Sequence, residues 1–264
     1  MSKRSSLKIP REHGAWAMLY VPLVVGALVA LSLSFRLLLL TLSVTLVFTA
    51  RGALVALLRS RSRGRTDQHA RRLTFAYLGL AALLGAPLVF LSRLYWLVPL
   101  SMATAILLTV NARKAVRGED RTVAGEMVAI AGLTLTAPAA YYVSAGVLNA
   151  TAIWLWMLCA LYFASSVFYV KLRVNTLNVR KEEARRQSWK RCAVYHICLF
   201  VALVVLALTG NLSLFAVAAF MPVLVRSFWY LAKPVRQNNL QQVGWLEMIY
   251  SIVFLIFITL TFRV

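Results

Sequence analysis

The chain has 264 residues, of which 61% are apolar, and it carries a formal net charge of +21 at pH 7. Its mean hydropathy of +0.76 reflects more apolar side chain than the core of a soluble domain can bury, so a soluble globular protein is excluded. We expect an all-α membrane protein, because the long apolar runs lack the ten-residue alternation of a transmembrane β-barrel.

Nine apolar stretches are each long enough to cross about 30 Å of hydrocarbon as a helix. They predict a single transmembrane domain, 1–264, built as a polytopic helical bundle. In chain order, the predicted spans are 15–34, 37–58, 73–91, 94–110, 123–145, 151–170, 192–209, 212–231 and 244–262.

Lysine and arginine are distributed unevenly between the two ends of these spans. Of the 29 basic residues, 25 lie in the N-terminal segment, in the loops after even-numbered spans or, like Arg226, beside those loops. Arg36, Arg93 and Arg263 lie on the other side, and Arg51 lies inside the second span. Positively charged loops resist translocation. This asymmetry predicts a protein of the cytoplasmic membrane with its N-terminus in the cytoplasm and its C-terminus outside. It also accounts for the run Arg59 to Arg65, so we expect contacts with membrane lipids and no nucleic-acid partner.

Ionisable side chains inside or beside the spans mark the candidate site, because such groups are costly in hydrocarbon and usually face a cavity or a partner. At 1.5 Å per residue, all of them fall in the cytoplasmic half of the bilayer. They predict a polar, cytoplasm-facing vestibule in which Glu126 is the first candidate to balance Arg51. The simpler interpretation is that the glutamates lie at the interface and extend into water. The predicted ligand-binding residues are Arg11, Glu12, His13, Arg51, Glu126, His196 and Glu247.

The cysteine and histidine residues give little indication of a metal site. Cys192 and His196 are four residues apart, which is a metal-ligand spacing, but two ligands do not make a zinc site. A small apolar residue beside a hydrogen-bonded imidazole is the more common arrangement. We therefore expect no metal site and no cofactor.

The segment "REHGAWAML" at 11–19 resembles the N-terminal signature of the YwiC-like family of bacterial membrane proteins. A second, more distant resemblance covers most of the chain. Nine spans with a cytoplasmic N-terminus, "ARGALVALL" at 50–58 and "GEMVAIAGLTLTAPAAYY" at 125–142 resemble the UbiA-type prenyltransferase superfamily. This resemblance implies a helical bundle around a central cavity, with Glu126 and Tyr142 on its lining and Tyr142 as a further ligand-binding candidate.

The two aspartate motifs that hold Mg²⁺ and prenyl diphosphate in that superfamily are missing. The first position reads "RSRSRGRTD", with Asp67 alone and late, and the second reads "VKLRVNTLNVRKEEARR", where Asn175 and Asn178 are neutral. Magnesium requires hard oxygen ligands. Arginine in their place repels the metal but can itself hold phosphate. Metal-dependent prenyl transfer is therefore not expected.

Three functional hypotheses remain open from the sequence. The first is a protein that binds an anionic or isoprenoid/quinone-type lipid in a cytoplasm-facing cavity, with Arg51 and the basic loops as anion contacts. The second is a divergent membrane enzyme acting on a lipid, with Glu12, His13 or Glu126 as catalytic acid or base, since histidine titrates near neutral pH. The third is a membrane assembly or transport protein. The ligand's identity and the oligomeric state do not follow from the sequence.

Overall fold

The computed structural model describes residues 13–177, 182–233 and 240–263. Within these ranges the chain forms ten helices and no strand. In chain order they are α1 His13–Val29, α2 Phe35–Ser62, α3 Gln68–Phe90, α4 Leu97–Val116, α5 Val123–Thr134, α6 Thr136–Ala145, α7 Ala150–Leu177, α8 Glu182–Leu208, α9 Leu214–Ala232 and α10 Leu240–Thr261.

The predicted fold class, an all-α polytopic membrane protein, is confirmed. Each predicted span coincides with a helix, and α5 with α6 together fill the fifth. Among the described residues, seven helical segments are long and apolar enough to cross a membrane, while α1 is apolar but shorter. The α4 helix is not among the seven. The count of nine spans therefore combines seven clear membrane helices with these two.

Several helices run past the predicted ends of their spans, as three of them show. The α2 helix continues to Ser62, α7 continues to Leu177, and α8 already begins at Glu182, ten residues before its predicted span. The added turns are rich in Arg, Lys and Glu, which are good helix formers in water. Hydropathy limits a span to the hydrocarbon core, whereas the backbone hydrogen bonds of a helix continue beyond it.

The fifth predicted span is interrupted near its middle. The α5 helix ends at Thr134, Leu135 is a turn, and α6 begins at Thr136. Pro138 has no N–H to donate to the carbonyl of Thr134, four residues earlier, and its ring crowds that turn. The break therefore has a local cause in the sequence "LTAP", although the hydropathy pattern is continuous across it.

The chain divides into two compact units, Met1–Ile153 and Trp154–Val264. The single-domain assignment made from the sequence stays a prediction.

In the first unit, α1 packs against α6 at very short range. An added Cβ on Gly26 would lie 2.2 Å from the carbonyl oxygen of Ala137, so only a glycine allows this approach. The hydroxyl of Thr136 also donates a 2.9 Å hydrogen bond to the carbonyl of Leu19. Small residues with polar contacts are a common basis of helix packing in membranes.

In the second unit, aromatic packing joins α7, α9 and α10. Tyr162 stacks on Phe254 with ring centroids 4.0 Å apart, and Phe220 meets both rings edge to face. The Tyr162 hydroxyl donates to Ser251, 3.4 Å away. The charged residues Arg226 and Glu247 lie outside this cluster, in the C-terminal part of α9 and the N-terminal part of α10.

Candidate functional site

Arg51 of α2 lies in a polar cluster within the first unit. Its Nε donates a 2.7 Å hydrogen bond to Oδ1 of the buried Asn111, on α4. Its Nη2 lies 3.9 Å from a carboxylate oxygen of Asp120, in the loop between α4 and α5. The amide of Asn111 in turn donates to the carbonyl of Gly125. Arg51 therefore connects α2 to α4 and to the start of α5.

The structure places the carboxylate of Asp120 beside Arg51, a partner that the sequence did not predict, and the expected pairing of Arg51 with Glu126 stays a prediction. The loop folds back over the start of α5 so closely that a Cβ on Gly125 would lie 2.3 Å from the carbonyl oxygen of Glu119. Glu126 lies in the first turn of α5, where a carboxylate is favourable beside the exposed N–H groups. Glu126 was predicted from its depth in the membrane, and depth alone does not show how the loop before α5 folds.

Tyr142, a further predicted site residue of this unit, lies far from Glu126. The two are 16 residues apart along α5 and α6, or roughly 24 Å at the rise of a helix. The Tyr142 ring is buried among apolar residues, and its hydroxyl accepts from the backbone N–H of Trp96, 3.4 Å away. The structure does not bring these two side chains together.

The opening motif is only partly described. Arg11, Glu12 and the side chain of His13 lie outside the described residues, so their site roles stay predictions. Trp16, from the same motif, stacks on Tyr20 and meets Phe48 of α2 edge to face, 4.8 Å between centroids. The Tyr20 hydroxyl is 2.9 Å from that of Thr45. This part of the motif joins α1 to α2.

His196, on α8 in the second unit, is buried and hydrogen-bonded on both ring nitrogens. Its Nδ1 lies 2.7 Å from the carbonyl oxygen of Cys192, which can only accept, so Nδ1 donates. Its Nε2 then accepts from the hydroxyl of Ser165, 2.9 Å away. A neutral imidazole satisfies both contacts, which makes His196 a packing residue between α7 and α8.

Glu247, on α10, forms a largely buried ion pair with Arg226 of α9, whose side chain is only 9% exposed. The guanidinium carbon of Arg226 lies 3.8 Å from the centroid of the Tyr169 ring and 5.4 Å from that of Tyr250. This contact combines charge pairing with cation–π attraction in a poorly hydrated setting. From the sequence, Glu247 was predicted to line the site, whereas Arg226 was counted only as a basic residue near the end of a span. The two residues lie at matching depths in neighbouring spans, and this match could have predicted their ion pair.

An open cavity of about 530 Å³ lies beside this ion pair. Arg173, near the end of α7, contributes a second guanidinium to its wall, 4.7 Å from the centroid of the Tyr230 ring. The Arg173 Nε is buried, with no hydrogen-bond partner among the described residues. The wall combines two arginines with aromatic and apolar side chains: Tyr169, Arg173, Met221, Pro222, Val225, Arg226, Trp229, Tyr230 and Tyr250.

A known protein family matches most of the first unit. The family model described as "YwiC-like protein" matches residues 9–141, about half of the chain. The chain belongs to the YwiC-like family. The match runs from the opening motif into α6, so it includes the Arg51 cluster, while the cavity beside Arg226 lies outside it. No curated protein and no solved structure matches this YwiC-like chain at a significant level.

Proposed function

We propose that this YwiC-like protein binds a lipid with an anionic or quinone-type head in the open cavity of its second unit. The observation that carries the proposal is Arg173, a cation on the cavity wall whose buried Nε lacks a hydrogen-bond partner among the described residues. A buried donor without an acceptor costs free energy. A ligand oxygen placed beside Arg173 removes that cost, so the cavity wall favours an acceptor at this position.

The rest of the wall supports a ligand that is polar at one end and apolar at the other. Met221 and Val225 lie one turn apart on α9, toward the middle of that helix, and Trp229 follows one turn later. These three side chains are 42%, 57% and 65% exposed, so the cavity is open along this face. Because α9 qualifies as a membrane span, an apolar tail on this stripe meets hydrocarbon.

The proposal includes an orientation in the cytoplasmic membrane. Arg173 and Arg226 lie near the C-terminal ends of α7 and α9, and Glu247 near the start of α10. The excess of basic residues at these ends supports their placement in the cytoplasm, with the C-terminus outside. We expect a reporter protein fused after residue 264 to be found outside the cell, and a reporter fused within 59–72 to be found in the cytoplasm. A cytoplasmic C-terminus would contradict this arrangement.

We propose that the protein resembles the UbiA-type superfamily in its binding fold but does not share that superfamily's Mg²⁺ chemistry. Arg59 and its neighbours at the end of α2 stand where the first aspartate motif is expected, and Arg59 donates to the carbonyl of Ala115. At the second motif, Arg173 offers guanidinium donors to an anion and cannot bind a metal. These features favour a role in holding a lipid over a role in transferring a prenyl group.

Lipid retained through purification tests the proposed function. We expect native mass spectrometry of the full-length protein, extracted in a mild neutral detergent, to show a bound lipid. Arg173→Gln should reduce the bound fraction about tenfold, because a hydrogen bond to a charged group contributes roughly 1.5–3 kcal/mol.

The matched control is Arg186→Gln, which removes the same charge from an exposed position on α8. It should leave the bound fraction unchanged. Equal loss in both variants would indicate adsorption driven by net charge and contradict a specific cavity, as would the absence of bound lipid from the unmodified protein.

A further inference from the structure

The charges around the cavity indicate how much negative charge its ligand carries. Among the residues that the structure describes, the wall contains two guanidinium groups, those of Arg173 and Arg226, and no carboxylate. Glu247 is not part of the wall and pairs with Arg226. Within this described part of the wall, the positive charge of Arg173 therefore faces the cavity without a carboxylate to balance it. A single negative charge on the ligand completes the balance.

Tyr230 adds a second donor at the same place. Its side chain is 3% exposed, lines the cavity and packs against Arg173. Its hydroxyl is buried and has no hydrogen-bond partner within the described ranges. A carboxylate or a phosphodiester presents two oxygens that share one charge, and these can accept from the Arg173 guanidinium and from the Tyr230 hydroxyl together.

Heads with other charges fit this wall less well. A prenyl diphosphate carries more than one negative charge, and its excess would lie against the aromatic side chains of the wall, such as Tyr169 and Tyr230. Aromatic faces are electron-rich and attract cations, not anions. A quinone has carbonyl oxygens that can accept hydrogen bonds, but it carries no charge to balance Arg173. Burying one partner of an ion pair without the other is costly.

We infer that the ligand is a lipid with a single negative charge, a carboxylate or a phosphodiester, whose head binds Arg173 and the Tyr230 hydroxyl while Glu247 neutralises Arg226. This inference rests on the proposed lipid-binding function and narrows it. The tail then lies along the exposed stripe formed by Met221, Val225 and Trp229, which spans about 12 Å of α9.

Competition between four probes tests the charge of the head. The full-length protein in neutral detergent, with a metal chelator present, is titrated with oleate, phosphatidylglycerol, farnesyl diphosphate and a menaquinone, and bound species are counted by native mass spectrometry. We expect the two singly charged lipids to bind about tenfold more tightly than the diphosphate and the quinone.

Single substitutions assign the contacts. Tyr230→Phe keeps the ring and removes the hydroxyl, so it should weaken oleate binding about fivefold, whereas Tyr95→Phe, at an exposed tyrosine of the first unit, should not. Glu247→Gln leaves Arg226 unbalanced and adds one positive charge at the cavity. It should therefore raise the affinity for farnesyl diphosphate relative to oleate.

The outcomes separate this inference from the proposed function. If the diphosphate or the quinone binds most tightly and Arg173→Gln still weakens it, the lipid site stands and the single-charge assignment is wrong. The assignment also fails if Tyr230→Phe has no effect on oleate, or if a well-folded Glu247→Gln variant keeps its preference unchanged. If none of the four probes binds, the proposed function itself fails.

Discussion

Replacing Glu247 by glutamine, or Arg226 by leucine, is expected to lower the thermal stability of the protein strongly, whereas the double replacement should restore most of it. Each single change leaves one buried charge without its partner, and such a loss typically costs about 3–5 kcal/mol. Removing both charges also removes the cost of taking them out of water, so the double variant can be nearly neutral. Tyr169, whose ring lies against the guanidinium, remains available to pack against the leucine.

Thermal unfolding of the four proteins in one neutral detergent measures this coupling. The matched control is the exposed pair of Glu182 and Arg185 on α8, separated by 3.5 Å with side chains 85% and 45% exposed. Removing either of these charges should cost less than about 1 kcal/mol, because water screens the pair. If the two single changes at Arg226 and Glu247 are silent, or their effects simply add, the pair does not hold α9 against α10.

Gly26→Ala is expected to destabilise the first unit more than any other glycine-to-alanine change in α1. The added Cβ would lie 2.2 Å from the carbonyl oxygen of Ala137 and 2.9 Å from the backbone nitrogen of Tyr141. Both are backbone atoms, so no flexible side chain can move aside and α1 must shift away from α6. Forcing extra volume into a packed contact costs about 1–3 kcal/mol, and backbone displacement adds to it.

The control for this change is Gly79→Ala in α3, where an added Cβ meets nothing within 4 Å. Alanine is the better helix former by about 1 kcal/mol, so this variant should melt at the same temperature or slightly higher. The measurement is again the unfolding temperature in a neutral detergent. A Gly26→Ala protein as stable as the unmodified one would mean that α1 and α6 do not pack as closely as described.

The sequence predicts the helices well because hydrophobic length is a property of each segment alone. The predicted span 73–91 corresponds to α3, Gln68–Phe90. The helix ends were predicted less well, because a helix can continue into water beyond the hydrocarbon core. The long polar start of α8 is an example. The interruption at Leu135 follows from Pro138, a local signal that hydropathy averages away.

The candidate site was predicted less completely because it depends on which helices and loops become neighbours. Arg51 was expected to have an acidic partner, and the structure places Asp120 beside it, in a loop that no periodicity describes. Glu247 was selected for its depth, yet Arg226 was assigned to the flank of its span. Arg173 was considered only as part of a basic loop. Pairings between helices of this kind are not contained in the pattern of any single helix.

For the lipid proposed above, the exposed stripe on α9 has a consequence for its source. Because Met221, Val225 and Trp229 open the cavity sideways along a membrane helix, such a lipid would reach the cavity by lateral diffusion within the leaflet and would never cross water. Its solubility in water would then set no limit on binding. Occupancy follows the composition of the surrounding leaflet, and the competitors that matter are the abundant bulk lipids of that same leaflet.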